Sequence, residues 1–126
     1  MISYGVYRLV HFLGIFLLLT ALGGAAMRAM ASAGVASTEA DRKPLRRLVA
    51  ATHGIAMLLI LVGGFGMLAR LDVGFPGWIV GKLLVWMALG AMLGLTVRLA
   101  GRARALWFAI PVLAFVAAWL AYTKPF

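Results

Sequence analysis

Four long apolar runs, Val6 to Met30, Leu48 to Leu68, Gly77 to Val97 and Ala105 to Tyr122, alternate with short stretches that hold most of the charged residues. Lipid-facing barrel strands alternate apolar and polar positions over about ten residues, whereas these runs are continuously apolar, which points to helices. A helix rises ~1.5 Å per residue and the hydrocarbon layer is ~30 Å thick, so roughly 20 residues are needed to cross it. All four runs meet or approach that length, the fourth being the shortest. The pattern predicts an all-α polytopic membrane protein, a single domain over residues 1–126 with four transmembrane helices in an up-down bundle.

Composition agrees with the pattern. Hydrophobic residues make up 65% of the 126 positions and the mean hydropathy is +1.07, more apolar surface than a water-soluble domain of this size can bury. The first run resembles a signal peptide, since Arg8 precedes an apolar core and Ala29 to Gly34, "AMASAG", has small-residue spacing of the cleavage type. Arg28 interrupts the region ahead of that site, so the first run is expected to remain as a spanning helix.

A net charge of +9 invites a nucleic-acid partner. The basic residues, however, lie mainly between and at the ends of the runs, where lipid headgroups and the positive-inside rule account for them, and no nucleic-acid binding is expected. Arg28, Arg42, Lys43, Arg46, Arg47, Arg98, Arg102 and Arg104 flank the first and third loops, against Arg8, Arg70, Lys82 and Lys124 on the other face. Eight against four predicts the first and third loops in the cytoplasm and both termini outside, in one dominant orientation. Loop 1, Ala31 to Arg47, is expected to be a connector, with Pro44 within it and a basic cluster at its end. The absence of cysteine excludes disulfides, thiolate catalysis and iron–sulfur ligation.

Candidate chemistry is sparse. The three acidic residues, Glu39, Asp41 and Asp72, all fall outside the apolar runs, which disfavours a proton-coupled exporter built on an intramembrane carboxylate. No nucleotide loop, Ser-His-Asp set or zinc site is present in the sequence, so no catalytic residue and no metal site are assigned and the protein is not expected to be an enzyme. His11 and His53 are the natural pair to test as haem ligands, but two imidazoles on one iron need similar depth. One lies near the outer end of helix 1 and the other near the cytoplasmic end of helix 2, a separation of roughly 15 Å at ~1.5 Å per residue.

Tyr4, Tyr7, Arg8 and His11 share one helical stripe. It reads first as an aromatic belt with a snorkelling arginine, and second as the wall of a headgroup, quinone or partner site. On helix 2, Arg46, Ala50, His53, Met57, Ile60 and Gly64 share a face, with Met27 and Met30 closing helix 1 on the same side. Imidazole and thioether together suit Cu(I), but no Met-x-x-Met repeat with exposed access appears, and methionine commonly fills gaps in apolar packing.

Helix 3 carries Lys82 in the run "GWIVGKLLVWMALGAML", one turn from Trp78 and one turn from Trp86. It lies roughly 7 Å below the outer boundary at ~1.5 Å per residue, a depth from which a lysine can snorkel, and both indoles are expected to flank its ammonium. Gly77 with Gly81, and Gly90 with Gly94 on roughly the opposite face, form two small-x-x-x-small pairs. With Trp78 and Trp86 they are the candidate interaction residues. Pro111 is expected to bend helix 4.

The segments "RLVHFLG", "ATHGIAMLLILVGG", "PGWIVGKLLVWMALGAMLG" and "AYTKPF" resemble, in order and spacing, the SirB-like family of small bacterial inner-membrane proteins. The resemblance implies four spans in that membrane. It also implies functional positions at His11, His53, Trp78 with Lys82, and Thr123 with Lys124. One departure stands out: the family pattern has an aspartate one turn after the second histidine, where this chain has Ala56. A relay built on that acid would be absent here.

Three functions follow as expectations, in descending order. The first is a non-catalytic accessory or interaction subunit docking on itself or on a larger membrane complex through its glycine faces. The second is a redox subunit with haem or quinone bound at His11, His53, Arg8 or Lys82, completed by another chain. The third is transport of a small anion drawn in by Lys82 and Arg8. No cofactor is predicted outright, and the expected partners are the lipid bilayer and other membrane subunits.

Overall fold

In the computed structural model, which describes residues 1–32 and 39–126 and the side chains of all of these except 39–41, the chain forms four long helices. They are α1 (Tyr4–Ala31), α2 (Glu39–Leu71), α3 (Gly77–Arg98) and α4 (Ala103–Thr123), with a 3-10 turn at Ala100–Arg102 leading into α4. All four are long and apolar enough to cross a membrane. The all-α four-helix architecture is the one the apolar runs predict.

The largest departure is at the start of α2. The sequence places a connector over Ala31 to Arg47; residues 33–38 of it lie outside the described residues, but Glu39 to Arg47 is helix. Pro44 is tolerated because it is the sixth residue of α2, where few intrahelical bonds precede it, and Leu45, Arg46 and Arg47 are good helix formers. At the other boundaries the helices start or end within three residues of the predicted spans, α3 starting at Gly77 as expected and α2 running on to Leu71. Helix α4 continues through Pro111.

Packing between α1 and α2 is the closest in the bundle, and small residues make it so. A Cβ on Gly14 would lie 2.8 Å from the Ile60 backbone nitrogen, and one on Gly63 would lie 2.7 Å from the His11 backbone nitrogen. Gly66 faces the Tyr7 ring. These contacts fix one antiparallel register: Tyr7 against Gly66, His11 against Gly63, Gly14 against Ile60. In lipid the apolar faces gain little by associating, so dispersion contacts at close approach, which glycine permits, hold helices together.

Around this pair the core is built by Leu18, Leu22 and Ala26 of α1 and Ala56 of α2. Val85, Leu89 and Met92 of α3 and Leu106 and Ile110 of α4 complete it. Outward, large apolar side chains such as Leu9, Phe16, Leu58, Phe108 and Phe115 are exposed, as expected of helices that are hydrophobic all round and face hydrocarbon. Both termini and the α2–α3 loop share one end of the bundle, called here the terminal end. The other, basic end carries the first and third loops.

Candidate functional site

The chemistry of the chain concentrates at the terminal end, beginning with His11. Its Nδ1 lies 2.8 Å from the carbonyl oxygen of Ile60. That oxygen already serves the α2 ladder and accepts a second bond through its other lone pair. In a helix the side chains three and four residues on crowd a carbonyl, and here those positions are Gly63 and Gly64, which leave the oxygen open to a neighbouring helix. Because a carbonyl only accepts, the neutral His11 ring carries its proton on Nδ1 and presents Nε2 as a lone pair. A histidine that ligates a metal is oriented in the same manner, through its other ring nitrogen.

Lys82 of α3 stands one helical turn beyond Trp78. Its ammonium stands 5.9 Å from the centroid of the Trp78 ring. A second ammonium, that of Lys124, stands 5.6 Å from the same centroid. The sequence expectation that Trp78 and Trp86 both flank Lys82 is therefore corrected. Trp86 instead donates its indole N–H to the Met57 carbonyl at 3.2 Å and ties α3 to α2, because a half-buried indole N–H in an apolar bundle needs an acceptor.

Lys124 reaches Trp78 because of how α4 ends. Its backbone is left-handed, with φ 45°, and its N–H bonds the Leu120 carbonyl at 3.1 Å. A lysine in the conformation that glycine ordinarily supplies at this position is a strained choice. The turn carries the chain back over the start of α3, where the Trp78 N–H donates to the main-chain oxygen of Phe126 at 3.0 Å. One of the unpaired donors of the first turn of α3 is satisfied in this way. The Phe126 ring lies over Gly77, where a Cβ would come within 2.9 Å of its Cδ2.

Two cations thus converge on one indole, and among the described residues no acidic side chain meets them. The sole acidic residue of this end is Asp72 in the α2–α3 loop, and among the described residues no ion pair joins it to Lys82 or Lys124. Contact with a ring face is worth ~0.5–1 kcal/mol for an exposed cation and more when water is excluded, which offsets the cost of placing charge near hydrocarbon without neutralising it.

The other sequence-predicted residues are distributed differently. Tyr7 and His11 turn toward α2, whereas Tyr4 and Arg8 of the same stripe are exposed. His53 is buried, with Nε2 lacking a hydrogen-bond partner among the described residues. It stands ten residues along α2 from Gly63, the residue that meets His11, or ~15 Å at the helical rise. The two histidines do not approach one iron within this chain. Among the described residues no group of three or more His, Asp or Glu side chains could hold a metal ion.

The glycines of α3, expected to offer faces for other subunits, are largely occupied within the chain. Gly77 meets Phe126, Gly81 meets Leu120 of α4, and Gly90 meets the methyl of Met57 of α2; Gly94 alone of the four faces open space. Sequence reasoning from the residues missed Lys124 as a member of the site, although the end of α4 and the start of α3 necessarily share one face of an up-down bundle. It also missed Arg70, whose guanidinium donates from Nε and Nη2 to the Ile2 carbonyl and ties the end of α2 to the N-terminal segment. No family model, no curated protein and no solved structure matches the chain.

Proposed function

We propose that the protein is a non-enzymatic accessory subunit of the membrane that receives an anionic group, carboxylate or phosphate, at the terminal end of its bundle. The observation that carries this is the convergence of the Lys82 and Lys124 ammoniums on the Trp78 ring with no acidic side chain paired to them among the described residues. A pair of cations at helix ends, held by a ring rather than an acid, keeps its hydrogen-bonding capacity for an outside anion. Docking through the glycine pairs of α3 has less support, since three of those four residues pack internally. Membership of the SirB-like family is likewise a proposal. It rests on motif order, and Trp78 with Lys82 and Lys124, which fill two of those motifs, fall together at this site. That resemblance implies a bacterial inner membrane, and the charge asymmetry favours an orientation in which the site faces away from the cytoplasm.

Copurification from native membranes, read by proteomics and lipid analysis, tests the proposal. Wild-type protein is expected to retain an anionic lipid or an acidic partner subunit that Lys82→Gln/Lys124→Gln loses. Identical sets from the two proteins would contradict it.

A second reading is favoured by the oriented His11 ring, whose bare Nε2 suits a ligand completed by another chain, as haem or a quinone would require. A Soret band or extractable quinone that vanishes in His11→Leu would establish it; a featureless spectrum with no quinone would remove it.

A further inference from the structure

The Trp78 site has two cations of different standing. Lys82 belongs to the same helix as Trp78, one turn on, and keeps its place wherever α3 folds. Lys124 belongs to the segment after α4 and reaches the ring only while that segment lies against the start of α3. Three contacts hold it there: the Trp78 N–H on the Phe126 main-chain oxygen at 3.0 Å, the Phe126 ring on Gly77, and the left-handed turn at Lys124 closed by Leu120.

We infer that Gly77 and Phe126 are positioning residues of the anion site, which seat the 124–126 segment and so deliver the second cation to Trp78. The inference rests on the anion-receiving role proposed above. Gly77 is suited to the task because any side chain there would enter the space of the Phe126 ring, at 2.9 Å from Cδ2. The seat is also shallow. Phe126 remains 68% exposed and a single backbone hydrogen bond joins the segment to α3, so the docked and released forms differ by a modest factor. One such bond shifts an equilibrium by roughly three- to ten-fold, within reach of one substitution.

Two cations in place of one also set how binding responds to salt, since screening weakens each exposed charge contact. A site that has lost Lys124 should bind an anion more weakly and lose less of that affinity as salt is raised. That signature separates a lost cation from a general loosening of the fold, which would not flatten the salt dependence.

The experiment uses the full chain in nanodiscs of phosphatidylcholine, with phosphatidylglycerol as one anionic probe and inorganic phosphate as the other. A spin label at Pro125→Cys reports docking of the segment without any ligand. Gly77→Val and Phe126→Ala are expected to mobilise the label and to weaken phosphatidylglycerol binding about as much as Lys124→Gln, on the order of three- to ten-fold, with the same flattened salt dependence. Phe126→Tyr should restore both. Adding Lys124→Gln to Gly77→Val should weaken binding no further. Should inorganic phosphate reproduce the pattern, the site reads the phosphate itself; a response to phosphatidylglycerol alone means that the lipid surface supplies it. Either source fits the inference.

A mobilised label with unchanged binding and salt dependence in Gly77→Val would overturn the positioning role and leave the anion site standing, provided that Lys82→Gln still weakens binding. No change of binding in Lys82→Gln and Lys124→Gln alike would instead remove the anion site, and the inference with it.

Discussion

His11 and His53 invite comparison because each is 9% exposed and each lies in the helical core of the bundle, yet among the described residues His11 bonds a carbonyl while the Nε2 of His53 has no partner. His11 sits across from Gly63 and Gly64, whose missing side chains uncover the Ile60 carbonyl. His53 lies ~15 Å further along α2, with Nε2 enclosed and unbonded. Burial is the same in the two regions. The difference is whether a helix nearby exposes an acceptor, and that is decided by glycine spacing on the neighbour rather than by the histidine. The terminal end of the bundle is therefore where a buried polar group is held by a partner, and the region around His53 is where one is merely enclosed.

The comparison breaks most readily at the glycine. Gly63→Val would drive a side chain into the His11 backbone, and a loss of about 3 kcal/mol, at the upper end for overpacking, is expected in thermal unfolding in detergent. An unchanged melting temperature would mean that α1 and α2 pack less closely than described. His11→Leu removes one interhelical hydrogen bond and should cost about 1 kcal/mol in the same assay. His53→Leu should act with the opposite sign: removing an enclosed, unbonded nitrogen is expected to leave stability unchanged or raise it by up to about 1 kcal/mol. A clear destabilisation would show that His53 has a partner in the membrane. Lys82→Gln should have the smallest effect on folding, under about 1 kcal/mol, since it forfeits only a ring contact.

Much of the fold was legible because the bilayer imposes one requirement, a continuous apolar run long enough to cross, and four such runs are plain in the chain. The start of α2 was not legible for the same reason. Glu39 to Arg47 lies beyond the apolar run, so hydropathy gave no signal there, and Pro44 suggested a break that a helix tolerates in its second turn. At the site, the suspicion attached to Lys82 came directly from a charge in an apolar run. The convergence of Lys124 did not, because it depends on a left-handed residue at the end of α4, which the local sequence gave no glycine to announce. The glycines of α3 were recognised as points of close approach. Whether another helix of this chain or another subunit fills them is a property of the assembled bundle.

The central claim is that Lys82 and Lys124 together form a receptor for an anion. Its most direct test is the ratio of phosphatidylglycerol to phosphatidylcholine retained by the purified protein in native mass spectrometry, compared between wild type and Lys82→Gln/Lys124→Gln. Preference for phosphatidylglycerol in the wild type and loss of that preference in the folded double variant is the predicted result. Equal ratios in the two proteins would contradict it.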